Sequence, residues 1–291
     1  MNMQLNFKYL QNSFNPSARN GSSCWNVSNN YLYLFGGAQG DKIYNDFYMY
    51  DLKKEKWIII DIECPPPRFG SIFFHINNYL VMMGGFTNEN TTLNDIWYYD
   101  ISNKKWIKKE TPANLIIGTY SSYGVFNNKV YIFGGITINN KLNMCNNMYI
   151  YDFLKNEITG IDIDVDKAPE IRFNSNYWTY NINNVSYMYL MNGLTYKNNE
   201  LNQLNDTWRF NLNTECWEKI DLLSNNYKAR NSCLIFKNNN FVYLFGGIDT
   251  NNIIYNDIYQ LNLIDNKIEE ITQYNTLPEF RSDSSVWIIK D

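Results

Sequence analysis

The sequence of 291 residues predicts an all-β fold, a propeller of short four-stranded blades. It repeats with a period of about 50 residues, a length typical of propeller blades. Every repeat has a diglycine-like site after a hydrophobic run, at Gly36-Gly37, Gly84-Gly85, Gly134-Gly135, Asn192-Gly193 and Gly246-Gly247. A second pair follows, at Asn45-Asp46, Asn94-Asp95, Asn146-Asn147, Asn205-Asp206 and Asn256-Asp257. A large apolar residue stands 11 residues after that pair, at Trp57, Trp106, Ile158, Trp217 and Ile268.

The second repeat shows the four strands expected of a blade. Its strand-like runs are Ser71–Ile76, Tyr79–Met83, Ile96–Asp100 and Trp106–Lys109. They are rich in aromatic and β-branched residues and are bounded by turn-forming Asn, Gly or Lys, which is typical of strands. No repeat has a convincing 3.6-residue helical period of apolar residues. Each repeat is therefore predicted to form one antiparallel blade.

The order of these landmarks resembles the kelch repeat. In the second repeat the pattern is Gly84-Gly85, Asn94-Asp95, the segment Trp97–Asp100 and then Trp106. The resemblance covers nearly the whole chain, and five linked copies make it specific for the fold. It implies a kelch-type β-propeller, a single domain over residues 1–291, with the first strand of each blade innermost.

The diglycine site predicts a special backbone conformation. Asn192 fills its first position in the fourth repeat, and Asn is the residue after Gly that best tolerates the left-handed region. We therefore expect a positive φ at Asn192. The tryptophans that follow are expected to wedge between neighbouring blades, with Ile158 in that place in the third repeat.

Both ends of the chain resemble parts of a repeat. The segment 7–10, followed by Pro16 and Arg19, matches the end of a unit, and Arg281–Trp287 matches the beginning of one. The prediction is five complete blades plus a reduced sixth blade formed by both termini, which would hide sheet edges. The alternative is a five-bladed propeller with ordered tails.

Composition excludes several classes of function. The net charge is −4 and only 19 % of residues are charged, which does not suit a nucleic-acid surface. No apolar run is long enough to span a membrane. The five cysteines form no CxxC motif, so a reducing compartment is favoured, the cytoplasm or the nucleus.

Candidate catalytic and metal-binding residues are few. His75 is the one histidine, and we interpret it as an ordinary strand residue. Asp162, Asp164 and Asp166 begin like a calcium loop, but Lys167 and Phe173 stand where that loop needs Gly and Glu. We therefore expect these aspartates on a charged outer strand. The sequence predicts no cofactor, no metal and no enzyme activity.

Length variation is concentrated in the loops between the second and third strands. They are Ala38–Tyr44, Phe86–Leu93, Ile136–Cys145, Leu194–Leu204 and Ile248–Tyr255. Variable loops on a rigid scaffold are frequent recognition surfaces. Their apolar residues Ile136, Ile138, Ile253 and Ile254 are candidate anchors for a partner.

An arginine recurs at the same end of the blades, before the first strand. The positions are Arg19, Arg68, Arg172, Arg230 and Arg281, with Gly118 in the third repeat. The resemblance implies that these residues surround the mouth of the central channel, where arginines of kelch ubiquitin-ligase adaptors contact acidic peptides. A structural role, tying each blade entrance to a carboxylate or a carbonyl, is equally compatible with the pattern.

Three functions remain open from the sequence. The favoured one is a protein-interaction module that binds an acidic or polar segment of a partner protein through the loop face. The second is an architectural subunit of a larger assembly, held through the blade rims. The third, a small-molecule enzyme, is the least favoured. The oligomeric state and the partner's identity do not follow from the sequence.

Overall fold

The computed structural model describes residues 7, 10, 14–28, 30–87, 91–139, 141–145, 148–224, 226–272 and 274–287. In these ranges all regular structure is β-strand, and five antiparallel four-stranded sheets form the blades of a propeller. The prediction of an all-β kelch-type propeller with five complete blades is confirmed.

The strands follow the five repeats in chain order. The first repeat contains β1 (Ser23–Ser28), β2 (Tyr31–Phe35), β3 (Ala38–Gln39), β4 (Lys42–Ile43), β5 (Phe47–Asp51) and β6 (Lys56–Ile59). The second contains β7 (Ile72–Ile76), β8 (Tyr79–Met83), β9 (Ile96–Asp100) and β10 (Lys105–Lys109). The third contains β11 (Ser122–Phe126), β12 (Lys129–Phe133), β13 (Ile136–Asn139), β14 (Lys141–Met144), β15 (Met148–Asp152) and β16 (Glu157–Ile161). The fourth contains β17 (Asn176–Ile182), β18 (Val185–Met191), β19 (Leu194–Lys197), β20 (Glu200–Gln203), β21 (Thr207–Asn211) and β22 (Cys216–Ile220). The fifth contains β23 (Leu234–Asn238), β24 (Phe241–Phe245), β25 (Ile258–Asn262) and β26 (Lys267–Glu270).

Each blade is a simple meander whose strand order follows the chain, as in β7-β8-β9-β10. Tyr79–Met83, the second strand of that blade, is almost wholly buried, because neighbouring blades cover both of its faces. The fourth strand, Lys105–Lys109, is far more exposed. Contacts between blades join first strands, such as β1 with β7 and β11 with β17. The first strands therefore surround the axis and the fourth strands form the rim.

Aromatic residues of the fourth strands pack against the preceding blade, as predicted. The ring of Trp106 lies 5.4 Å from that of Phe35 and 5.2 Å from that of Phe47, both in the first blade. Trp217 lies 5.1 Å from Phe133 of the third blade. Large flat side chains thus fill the wedge-shaped gap between twisted sheets, which buries apolar area on both blades.

The diglycine sites combine an unusual conformation with crowding. Gly134 has φ 68°, and a Cβ there would lie 2.1 Å from the carbonyl oxygen of Arg172 in the next blade. Asn192 has φ 58°, so the prediction of a left-handed backbone at this position is confirmed. Its side chain meets the corresponding carbonyl of the next blade, since Nδ2 donates to the oxygen of Arg230 at 3.0 Å.

The innermost turns of the blades form a hydrogen-bonded ring around the axis. Backbone N–H groups donate to the neighbouring carbonyls from Asn174 to Tyr120, from Tyr120 to Gly70 and from Gly70 to Gly21. The ring continues through the C-terminal segment 281–287. Six residues of these turns have φ between 50° and 64°, namely Gly21, Gly70, Tyr120, Asn174, Ser232 and Asp283.

Residues 281–287 lie between the fifth and first blades. Gly21 donates to the carbonyl of Asp283 at 3.1 Å, and Asp283 donates to that of Ser232 at 2.9 Å. Trp287 packs on Trp57, with ring centroids 5.9 Å apart. These residues form no strand, and much of the predicted N-terminal strand lies outside the described residues. The reduced sixth blade therefore stays a prediction.

Candidate functional site

The loops between second and third strands, which we call the loop face, lie at one end of the propeller. Three of them form two-stranded hairpins, β3-β4, β13-β14 and β19-β20, where the sequence predicted only loops. In the third hairpin Asn198 and Asn199 have φ 53° and 64°. Two consecutive residues with positive φ suit the twist of a tight hairpin turn, and Asn tolerates that conformation.

Four of the five predicted arginines lie under the loop face in one common arrangement. In the second blade Arg68 donates from Nε to the carbonyl of Pro66 at 3.1 Å and from Nη1 to that of Gly84 at 3.0 Å. Nη1 and Nη2 also bind the two carboxylate oxygens of Asp95, with Nη2–Oδ2 at 3.0 Å. The equivalent pairs are Arg19–Asp46, Arg172–Asp206 and Arg230–Asp257.

Each pair joins three points of the loop face. The arginine binds the chain entering its blade, the end of the second strand and the aspartate just before the third strand. Burial raises the pKa of the Asp95 carboxyl, but the hydrogen bond and the charge of Arg68 outweigh burial and hold the pKa below its ordinary value. The same balance lowers the pKa of Asp206 beside Arg172. Both carboxylates are therefore ionised partners at neutral pH.

The burial of these side chains favours the structural one of the two roles that the sequence left open. The side chains of Arg68 and Arg172 are 0 % exposed and that of Arg230 is 2 % exposed. The side chain of Arg19 is 4 % exposed, and its guanidinium lies 3.9 Å from the centre of the Tyr44 ring. Charges held in this way inside the chain are not presented to a partner, so their contacts support the structural role that the sequence left open.

Arg281 differs from the other four arginines. It keeps the backbone environment, since Gly247 donates to its carbonyl at 3.0 Å and its Nε donates to the carbonyl of Glu279 at 3.0 Å. Its side chain is half-buried, and within the described ranges it forms no ion pair with a carboxylate. Among the five recurring arginines, it is the one whose terminal nitrogens form no hydrogen bond or ion pair with the described part of the chain.

The four candidate isoleucines separate into two groups. Ile136 is 7 % exposed and packs with Phe173, so it belongs to the core between hairpins and is not a surface anchor. Ile138 is half-buried, and its N–H donates to Oγ1 of Thr92 in the preceding blade at 2.8 Å. Ile253 and Ile254 are 51 % and 39 % exposed. Only the pair in the fifth blade therefore presents apolar surface freely.

Two exposed apolar residues were missed from the sequence. Tyr196 and Leu201 lie on the β19-β20 hairpin and are 39 % and 42 % exposed. The Tyr196 ring stacks on Phe173 with centroids 5.9 Å apart and an interplanar angle of 9°. The paired asparagines between these residues, flanked by alternating side chains, are a hairpin signal that would have located them.

A groove lies along the link between the fourth and fifth blades. It has a volume of about 600 Å³ and is lined mainly by polar side chains, including Asn205, Asp206, Lys219, Asp221 and Tyr227. The lining carries charges of both signs. A segment bound there would meet these hydrogen-bonding groups and the apolar side chain of Leu222, which also lines the groove.

The central channel is a second concave site, with a cavity of about 300 Å³. It is lined by the inner turns of all five blades and by residues 283–286. Asp283 is the one carboxylate among the described residues of this lining, and its Oδ2 lies 3.5 Å from the Tyr120 hydroxyl. Burial raises the pKa of Asp283 to about 6, while the bond from Tyr120 lowers it.

The other residues considered for chemistry are scattered. In the described ranges, no group of three or more His, Cys, Asp or Glu side chains is placed to hold a metal ion. Asp162, Asp164 and Asp166 follow β16 in a turn, and Asp164 pairs with Lys167 at 2.9 Å, so the prediction of a charged strand there is wrong. No helix that could cross a membrane occurs in the part of the chain described.

Comparison with known proteins agrees with this architecture. The sequence matches the profile of the KLHDC2/KLHL20/DRC7 Kelch-repeats domain over residues 6–122 and 117–291. The comparison with curated proteins returns no match. Propellers of the kelch class generally mediate protein–protein interaction, which is the class of function that this match carries. Since the profile covers nearly all of the sequence and the sheets have the corresponding order, the chain belongs to the Kelch-repeats family.

Proposed function

We propose that this protein is a non-enzymatic interaction module that binds a partner protein through the loop face of its fourth and fifth blades. The observation that carries the proposal is the exposed apolar pair Ile253 and Ile254 in the loop between the second and third strands of the fifth blade. Tyr196 and Leu201 add exposed apolar surface on the equivalent hairpin of the fourth blade. Apolar anchors beside polar contacts are the usual composition of a binding site for a protein segment.

The loop that carries the two isoleucines is held in a fixed conformation. Asp249 accepts hydrogen bonds from the N–H of Ile253 at 3.0 Å and from the hydroxyl of Tyr255 at 2.9 Å. The Tyr255 ring lies 3.7 Å below the guanidinium of Arg230. Arg230 thus positions the loop without contacting a partner. A preformed loop loses less conformational entropy on binding, which supports recognition at this place.

The residues that line the groove indicate which kind of segment could bind there. The groove offers both acceptors and donors, so a polar segment with at least one apolar side chain suits it. The five cysteines are free thiols, which is consistent with a role in the cytoplasm or nucleus. Binding at this face also accounts for the concentration of sequence-length variation in these loops.

The test is affinity purification of the full chain with quantitative mass spectrometry, comparing Ile253→Ser/Ile254→Ser with the wild type. We expect captured partners to fall at least tenfold, since two buried apolar anchors contribute about 3 kcal/mol or more. Ile264→Ser is the matched control, because Ile264 is 71 % exposed in the same blade but lies at the opposite end. Unchanged capture by the double variant, or loss with Ile264→Ser instead, contradicts the proposal.

A further inference from the structure

An arginine and a carboxylate occur together in four of the five repeats. In the first, second, fourth and fifth blades, an arginine at the blade entrance pairs with the aspartate before the third strand. In the third repeat Gly118 replaces the arginine, and Asn147 replaces the aspartate. The two residue types are thus present or absent as a pair. An arginine at this position implies a carboxylate ligand.

Arg281 is the exception, because it has the arginine half of the motif alone. Its N–H donates to the carbonyl of Tyr255 at 3.4 Å, as Arg68 donates to Tyr44 at 3.2 Å. Its carbonyl accepts from Gly247 at 3.0 Å, as that of Arg68 accepts from Gly37 at 2.9 Å. The backbone is therefore built like that of an internal arginine.

The side chain of Arg281 is also prearranged. Nε donates to the carbonyl two residues earlier at 3.0 Å, and the corresponding distance is 3.1 Å for both Arg68 and Arg230. This bond orients the guanidinium, so its two terminal nitrogens form a fork of fixed direction. The ring of Phe245 lies 5.9 Å from the guanidinium carbon on one side. In the described part of the chain no carboxylate occupies the fork.

We propose that Arg281 is a binding site for an Asp or Glu side chain on an extended segment of a partner protein. A planar carboxylate offers two oxygens at the spacing of the guanidinium fork, which suits it better than a neutral amide. The segment is extended because the internal aspartates directly precede a strand, as Asp46 precedes β5. Between the fifth and first blades, the partner thereby supplies the carboxylate that each of the four paired blades supplies from its own chain.

This inference rests on the proposed function in so far as the ligand belongs to a protein. The Arg281 side chain is a separate site from Ile253 and Ile254, although the Arg281 N–H donates to the carbonyl of Tyr255 at the end of their loop. The probe is a labelled hexapeptide with the sequence of Tyr255–Gln260, which contains Asp257, the natural ligand of Arg230. The control peptide carries Asp257→Asn. Fluorescence anisotropy of both peptides is measured with the full-length wild type and with Arg281→Gln.

The wild type is expected to bind the Asp peptide at least tenfold more tightly than the Asn peptide, as a charge-assisted bidentate contact requires. Arg281→Gln should abolish this preference. Lys228→Gln should retain it, because Lys228 is an exposed cation in the equivalent link before Arg230. Circular dichroism of each variant verifies the fold.

Three results overturn the inference. The wild type binds both peptides equally, Arg281→Gln keeps the preference for Asp, or the preference appears only after residues 288–291 are removed. The last result would assign the fork to Asp291 of the chain itself. Any of these results combined with loss of partners in the isoleucine variant would refute the Arg281 site and leave the proposed function standing.

Discussion

Arg68 and Asp95 form a bidentate ion pair in which the arginine side chain is 0 % exposed and that of the aspartate is 14 % exposed. The two residues are 27 positions apart, and their contact closes the loop face of one blade. Breaking a buried pair leaves one charge desolvated without compensation, which costs far more than the loss of a surface salt bridge. The equivalent pairs Arg172–Asp206 and Arg230–Asp257 thus stabilise the loops that we propose for binding.

Asp95→Asn should lower the free energy of unfolding by about 3–5 kcal/mol at neutral pH, because Arg68 keeps its charge without a counter-ion. The measurement is equilibrium unfolding in urea. The pKa of Asp95 is lowered in the folded protein, so its contribution is present above the ordinary carboxyl pKa and is lost as pH falls through the folded value. The difference between variant and wild type should therefore shrink below about pH 4. Asp166→Asn, at an exposed turn, is the control, and equal stability losses in both variants would refute the role of the pair.

Asn192 tests the requirement for a left-handed backbone. Its φ is 58°, and its Nδ2 donates to the Arg230 carbonyl at 3.0 Å and to the Tyr227 hydroxyl at 2.7 Å. Asn192→Gly removes the two hydrogen bonds but still tolerates the left-handed backbone. Asn192→Ala removes the same bonds and also disfavours that backbone conformation. We expect Ala to be less stable than Gly by about 1 kcal/mol in thermal or urea unfolding. An Ala variant at least as stable as the Gly variant would show that conformation is not the constraint.

The raised pKa of Asp283 predicts that the stability of the propeller depends on pH. Its folded pKa of about 6 exceeds the ordinary 3.8, so the folded state holds the proton more tightly and stability falls as pH rises from about 4 to 6. This pKa difference corresponds to about 3 kcal/mol at most. Asp283→Asn cannot lose a proton and suits φ 50°, so it should exceed the wild type in melting temperature at pH 8 and match it near pH 4. A variant that is not more stable at pH 8 would contradict this assignment.

The ends of the chain are predicted to close the ring together. The hydrogen bonds from Gly21 to Asp283 and from Asp283 to Ser232 link the first and fifth blades through the C-terminal segment. Phe7 also exchanges hydrogen bonds with the Asn275 side chain, at 2.8 and 3.0 Å. Deleting residues 1–11 or 280–291 should therefore lower the melting temperature of the whole domain in one cooperative transition. Unchanged melting in both truncations would show that the termini are only appended tails.

The repeated architecture was predictable because its determinants are local in sequence. Gly134 and Asn192 mark the ends of second strands, and Trp106 marks the fourth strand, each at a nearly constant spacing. The conformation at Asn192 followed from one substitution within the pattern. Such positions are constrained by backbone sterics, which a single residue type reveals.

The site was less predictable because its contacts are distant in sequence. Arg172 pairs with Asp206, which lies 34 positions later in the sequence. Ile136 is covered by Phe173 and Leu194 of the next blade. Neither burial follows from the local pattern of polar and apolar residues. One signal for the ion pairs was present in the sequence. The third repeat, which has Gly118 in place of the arginine, also lacks the aspartate.

Thermal unfolding of Arg230→Gln and Arg281→Gln, measured side by side, separates structural arginines from the arginine left for a ligand. Both substitutions remove one positive charge from equivalent backbone positions. Arg230→Gln should lower the melting temperature by about 5 °C or more, because Asp257 loses its buried partner. Arg281→Gln should change it by about 1 °C or less, because no described carboxylate depends on it. Equal losses in the two variants would contradict this division and show that Arg281 is already paired within its own chain.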